Sequence, residues 1–206
     1  MMVLKETTAY RKQLRAKIME AAMKAFTQKG IRAVKMDDIA SSLAISKRTL
    51  YEIFEDKEHL LYETINQYDA ISRQRLTDYA AQQHSVIDVI LEAYRMKVEE
   101  IKKVNPAFYT DIIRYPKLAS YIKNNNERTR ESFVKFLERG VEEGFLRADV
   151  NYEMIPHMFD ALGEYMIKSK LLDRYSLDEL FTNYVLVSIR GFCTEAGLKA
   201  IEEAKL

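Results

Sequence analysis

Apolar side chains recur at intervals of three and four residues along almost the whole chain, the period of helices that bury one face. The first such segment runs from about Arg11 to Lys29 and is followed by Gly30, a residue that commonly ends helices because it tolerates a left-handed backbone. Only 6 Gly and 3 Pro interrupt 206 residues. The pattern predicts an all-α protein of about nine helices.

Residues 35–61 depart from the long helices around them. Ile39, Ala40 and Leu43 form one apolar stripe on a short helix. The chain then turns through 44–46, and the Ser46 hydroxyl is suited to cap a second short helix of about 46–53.

The second short helix has one face for the core and one for solvent. Ile45 and Leu50 have the spacing of a hydrophobic staple, and Phe54 follows Leu50 one turn later. The remaining positions carry positive charge and hydroxyl groups: Lys47, Arg48, Thr49 and Tyr51. A short helix with such a face fits a DNA major groove, so the pattern predicts a helix-turn-helix.

The segment from Ile39 to Leu61 reads I-A-x3-A-I-S-x2-T-L-Y-x2-F-x2-K-E-x-L-L. It resembles the N-terminal DNA-binding domain of the TetR family of bacterial transcriptional regulators. A weaker similarity lies at 144–150, G-F-L-R-A-D-V. Two positions depart from the family pattern: Ala44 stands where the family usually has Gly, and Lys35 where it usually has Ser or Thr.

The resemblance implies a DNA-binding domain at 1–66 and a helical ligand-binding and dimerisation domain at 67–206. The implied function is sequence-specific transcriptional regulation, with a repressor released from a near-palindromic operator by a small-molecule effector. The alternatives are an activator, or a helical interaction protein that has lost DNA binding. The DNA-contacting residues implied are Lys35, Lys47, Arg48, Thr49, Tyr51 and Lys57.

Two late segments, about 152–172 and 177–196, are apolar around more of their circumference than one core contact needs. Ser176 and Glu179 have the spacing of a capping box at the start of the second segment, and Gly197 is expected to end it. In TetR-like proteins the corresponding helices pair with a second subunit, so a homodimer is expected; a large monomeric core is the alternative.

Aromatic and flexible apolar residues in the middle of the chain are candidates either for a ligand pocket or for simple core. They are Tyr94, Phe108, Tyr109, Tyr121, Phe133, Phe136, Met158, Phe159 and Tyr165.

Charge is unevenly distributed along the chain. The net charge is only +1, but residues 1–35 hold nine Lys and Arg against two Glu. A basic leading segment is expected where cations meet phosphates, although a solvated helix face has the same composition.

Known catalytic motifs are missing from the sequence. There is no G-x-S-x-G, H-E-x-x-H or phosphate-binding glycine-rich loop, and the three His residues are far apart. We therefore expect no enzyme activity, no metal and no cofactor. The single Cys193 excludes an intrachain disulfide, and no apolar run is long enough for a signal peptide or a membrane span. These features predict a cytoplasmic protein without a membrane partner.

Overall fold

The computed structural model describes residues 2–112 and 114–204, and within them the side chains of all but 2–8, 116, 119, 121–123, 125–128, 167, 172 and 177. Over these residues the chain forms ten helices and no β-strand. The helices are α1 Met2–Lys29, α2 Met36–Ser42, α3 Lys47–Ile53, α4 Lys57–Ala80, α5 Val86–Lys103, α6 Pro106–Ile112, α7 Pro116–Glu142, α8 Met154–Lys168, α9 177–191 and α10 Glu195–Glu203. A π-helical segment, Phe181–Leu186, lies inside α9. The all-α prediction is confirmed.

The chain divides into two compact units. The N-terminal unit comprises Met1–Ile71 and Val104–Tyr121, and the C-terminal unit comprises Ser72–Lys103 and Ile122–Leu206. This division differs from the boundary predicted after residue 66, because α6 and the start of α7 belong to the first unit. The reason is hydrophobic: Phe108 and Leu118 are buried in the same core as α1 to α4.

The core of the N-terminal unit is built on one stripe of α1. Leu14, Ile18, Ala22 and Phe26 follow at intervals of four residues, and all are buried. Gly30 then takes a left-handed φ of +81°, as expected of a residue that ends a helix. The predicted stripe and its stop signal are confirmed.

The C-terminal unit confirms one predicted helix signal and corrects another. The backbone N–H of Ser176 donates to Glu179 Oε2 at 2.8 Å, and the N–H of Glu179 donates to Ser176 Oγ at 3.2 Å, which is the predicted capping box. The helix was expected to end at Gly197, but α9 ends at Gly191 and a new helix follows. Thr194 caps that helix by accepting from the N–H of Gly197 at 3.2 Å.

Gly197 is therefore needed for packing rather than for ending a helix. A Cβ at this position would lie 2.3 Å from the carbonyl oxygen of Phe145, a backbone atom that cannot move freely. Leu146 pairs with Cys193 in an isolated antiparallel bridge at the same place. The close approach of the two backbones leaves no room for a side chain.

Replacing Gly197 with Ala should lower the free energy of unfolding of the C-terminal unit by about 1–3 kcal/mol, because overpacking forces the backbone apart. Urea denaturation followed by circular dichroism measures this change. Lys199→Ala, on the exposed side of the same helix, is the control and should stay within about 0.5 kcal/mol of the parent. Equal stability of the two variants would contradict the packing explanation.

Candidate nucleic-acid interface

The turn between α2 and α3 has the geometry that the sequence predicts. Ala44 adopts a left-handed backbone with φ of +53°, a conformation that is less favourable for Ala than for Gly. The N–H of Ile45 donates to the carbonyl of Ala40 at 3.1 Å. Ser46 Oγ accepts from the N–H of Thr49 at 3.0 Å, which confirms the predicted N-cap.

The inward side of α3 fixes this helix to the core. Leu50 and Phe54 are both 0% exposed, and Ile45 packs against the same core. Leu50 is the residue of α3 that is fully buried, so the position of the helix depends strongly on it.

The outward side of α3 carries cations and hydroxyl groups. The side chain of Arg48 is 88% exposed and that of Lys47 is 62% exposed. Tyr51 is 43% exposed. Thr49 is half-buried, and its hydroxyl lies 2.8 Å from that of Ser46. These residues together form a surface that we call the α3 face.

Each exposed cation of the α3 face has an acidic neighbour. Lys47 Nζ lies 3.0 Å from Asp37 Oδ2, and Arg48 Nε lies 2.9 Å from Glu52 Oε1. The hydrogen bond and charge of Asp37 raise the pKa of Lys47. Solvent-exposed pairs contribute little free energy, so a phosphate or a base edge can replace these carboxylates.

Lys35 occupies the position before α2 without capping it through its side chain. A Lys side chain cannot accept a hydrogen bond. Instead Asp38, three residues later, accepts from the backbone N–H of Lys35 at 2.8 Å. Lys35 itself is exposed. Sequence reasoning did not identify Asp37 and Asp38, although acidic residues in a first helical turn are a known signal.

Lys57 has partners inside the protein, which differs from the expected projection towards a phosphate. It is half-buried, its Nζ donates to the carbonyl of Val34, and it lies 6.0 Å from the centre of the Phe26 ring. Burial lowers the pKa of Lys57. The start of α4 is capped by Asp56, whose Oδ1 accepts from the N–H of His59 at 2.7 Å.

The residues suggested for a ligand pocket separate into different places. Phe108 and Tyr109 belong to the core of the N-terminal unit, with ring centroids 5.4 Å apart. Phe133 and Tyr165 are exposed. The side chain of Tyr121 lies outside the described residues. The other four share the core of the C-terminal unit: Tyr94, Phe136, Met158 and Phe159.

Two neighbours of Tyr94 were missed in the sequence. The ring of Phe181 lies 5.3 Å from that of Tyr94, and the Thr182 hydroxyl lies 3.3 Å from the Tyr94 hydroxyl. Both belong to the π-helical segment of α9. That segment shifts side chains away from the 3.6-residue period, so periodicity could not place them.

In the part of the chain that the structure describes, no group of three or more His, Cys, Asp or Glu is arranged to hold a metal ion. Among the helices in the same part of the chain, none has the length and apolar character needed to cross a bilayer.

A short helix held from beneath by Leu50 and presenting Lys47, Arg48 and Tyr51 defines a helix-turn-helix DNA-binding protein. The sequence model described as "Bacterial regulatory proteins, tetR family" matches residues 18–64, which contain α2 and α3 whole. Residues 18–64 therefore form a DNA-binding domain of this family, and the protein is a DNA-binding transcriptional regulator.

Known proteins of this kind are similar over much of the chain. The repressor KstR2 of Mycobacterium tuberculosis is 25% identical over 147 residues, covering 68% of this chain and 73% of KstR2. The regulator UidR of Escherichia coli K12 is 26% identical over 149 residues, covering 68% and 72%. A Saccharomonospora viridis protein described as a transcriptional regulator, solved in complex with choline, shares the fold with a TM-score of 0.69 at 17% identity, covering 89% of this chain and 100% of its own.

Proposed function

We propose that this regulator is a repressor that reads a near-palindromic operator with α3 and leaves it when a small molecule binds. The observation that carries the proposal is the exposure of Arg48 and Lys47 on a helix whose Leu50 is fully buried. Such a helix can enter a major groove without unfolding any part of the core. The relatives named as repressors support the sign of regulation.

Within the α3 face, each side chain has a proposed role that follows from its chemistry. Arg48 has the planar fork that matches guanine O6 and N7. Thr49 meets a nearby base edge or phosphate. Lys47, Lys35 and Tyr51 contact phosphates, which position the protein without reading sequence.

The role proposed for Lys57 is smaller than the sequence suggested. Its ammonium already donates to the Val34 carbonyl, so it can meet a phosphate only by exchanging or sharing that contact. The N–H groups at the start of α4 remain the more direct phosphate donors.

Selection of duplexes from a random-sequence library with the full chain tests this function. We expect enrichment of a two-fold symmetric sequence, lower expression of a reporter placed behind it, and recovery of expression with an effector. Recovery of no preferred sequence would favour the helical interaction protein that has lost DNA binding. Increased reporter expression would make the protein an activator.

The proposed dimer surface consists of the exposed sides of α8 and α9. Met154 is 65% exposed, Tyr165 55% and Val187 56%. Gly163 and Gly191 have no neighbouring atom within 4 Å of the position where a Cβ would be. Large apolar side chains beside open glycines suit close packing against the same helices of a second copy, as an isologous two-fold contact requires.

Val187→Glu should convert the dimer into a monomer, because two unpartnered carboxylates would be buried near the symmetry axis. Light scattering coupled to size-exclusion chromatography measures the mass of the parent and the variant. Lys199→Glu, a charge change on an exposed position of α10, should leave the dimer intact. A parent protein that is itself monomeric at micromolar concentration would refute the interface.

We place the effector in the C-terminal unit, among Tyr94, Phe136, Met158 and Phe159. These residues supply an apolar surround with one polar position, the Tyr94 and Thr182 hydroxyl pair, and ligand sites commonly combine these features. Choline in the related Saccharomonospora viridis structure supports a small ligand within this fold. A thermal-shift screen of apolar and cationic compounds, repeated with Tyr94→Phe, tests the site. A protein of this role works in the cytoplasm, where its DNA is.

A further inference from the structure

Asp111 is a buried carboxylate that DNA contact does not explain. It is 7% exposed, and with Thr64 it is one of two buried polar or charged residues in the part of the chain that the structure describes. Burying a carboxylate is costly unless it has partners. Oδ2 of Asp111 accepts a hydrogen bond of 2.8 Å from the backbone N–H of Arg32, in the turn 30–35 that joins α1 to α2.

Lys57 holds the other end of the same turn. Its Nζ donates to the carbonyl of Val34, two residues after Arg32. The negative charge of Asp111 raises the pKa of Lys57 and thus opposes the effect of burial. Asp111 therefore acts on the turn twice, directly through one hydrogen bond and indirectly through the ammonium group.

The segment 104–118 forms hydrogen bonds with α1, which precedes the turn, and with α4, which follows the helix-turn-helix. The backbone N–H of Asn105 donates to the carbonyl of Thr27 at 2.7 Å, near the end of α1. The backbone N–H of Lys117 donates to Glu58 Oε1 at 3.0 Å, in the first turn of α4. These contacts tie the segment to the helices before and after the helix-turn-helix.

The turn and α6 are in van der Waals contact at Gly30 and Ala107. A Cβ on Gly30 would lie 2.9 Å from Cβ of Ala107 and 3.4 Å from Asp111 Oδ2. The place of the turn is consequently set by α6, which lies outside the residues that match the family model, 18–64.

We propose that Asp111 is a positioning residue for DNA reading, because its hold on the turn at Arg32 fixes the direction in which α2 and α3 leave α1. The DNA-reading unit is then complete only with α6, although about fifty residues, which include α4 and α5, separate α6 from the helix-turn-helix in sequence. The inference rests on the proposed reading of an operator by α3.

Binding measurements on the full-length variants Asp111→Ala and Asp111→Asn test the inference. The probes are a duplex that the parent protein selects from a random library and an unrelated duplex of the same length. Both affinities are measured at the same low salt concentration. Asp111→Ala should lower affinity for the selected duplex by about tenfold or more and for the unrelated duplex by less than about threefold, because the cations of α3 stay exposed while its direction is no longer fixed. Asp111→Asn keeps an oxygen acceptor for Arg32 and should lie between Asp111→Ala and the parent.

Amide hydrogen exchange at Arg32 and at Leu50 separates positioning from unfolding. We expect faster exchange at Arg32 in Asp111→Ala with protection kept at Leu50. Asp173→Ala, which removes an exposed carboxylate of the C-terminal unit, is the control and should bind both duplexes as the parent does.

Parent-like affinity of both Asp111 variants for the selected duplex would overturn the inference, as would an equal loss on the two duplexes. Should Asp111→Ala not fold, Asp111→Asn alone decides, and a parent-like ratio of the two affinities overturns the inference. A parent protein that selects no duplex refutes the proposed function instead, so the two failures are distinguishable.

Discussion

Leu50→Ala is expected to lower the free energy of unfolding of the N-terminal unit by about 2–5 kcal/mol and to abolish operator binding. Leu50 is 0% exposed, and it is the fully buried residue of α3. Removing three carbon atoms leaves a cavity under a helix of only seven residues, which cannot be stable without its tertiary contacts. Urea denaturation together with amide exchange across α3 measures the loss.

Tyr51→Phe is the control for this experiment, because Tyr51 follows Leu50 directly but is 43% exposed. Loss of its hydroxyl should change stability by less than about 0.5 kcal/mol. If Leu50→Ala kept both the stability and the DNA affinity of the parent, the orientation of α3 described above would be wrong.

Arg48→Ala is expected to weaken binding to the operator by about 1–3 kcal/mol, which is about 5- to 150-fold in dissociation constant. Its side chain is 88% exposed, so the fold should be unchanged. In the free protein Arg48 pairs with Glu52, and an exposed ion pair of this kind contributes little free energy. Losing the pair in Arg48→Ala should therefore not offset the loss of the guanine contact. Fluorescence anisotropy with the selected operator measures the effect.

Two further variants separate base reading from phosphate contact. Lys47→Ala should weaken binding to all duplexes evenly and reduce the slope of affinity against salt by about one unit. Lys135→Ala removes a cation of the C-terminal unit that also has an exposed acidic neighbour four residues away, Glu131 at 2.6 Å, and should have no effect. If Arg48→Ala lost affinity equally for operator and unrelated DNA, Arg48 would be a phosphate contact.

Local signals in the sequence were sufficient for the helix-turn-helix. The cap at Ser46, the buried positions Leu50 and Phe54, and the stop at Gly30 each depend on residues within one or two turns. Such signals are read correctly because hydrogen bonds and side-chain spacing at that range leave few alternatives. The family pattern over the same residues then made DNA binding the expected function.

Packing between residues far apart in the sequence decided the places of several side chains that local patterns could not predict. Gly197 resembled a helix terminator, yet it lies inside α10 because the backbone of Phe145 passes beside it. Phe108 was a candidate for either a ligand pocket or simple core, and it packs in the core of the N-terminal unit. Lys57 resembled a free cation, yet Val34 accepts its hydrogen bond.

The sequence by itself therefore determined the helices, the reading helix and its exposed cations, since these follow from periodicity and from neighbours along the chain. Only the tertiary structure decided that α6 belongs to the N-terminal unit and that Asp111 holds the turn at Arg32. Those two residues are 79 positions apart, and a contact at that separation depends on how the whole unit packs, which no local pattern encodes.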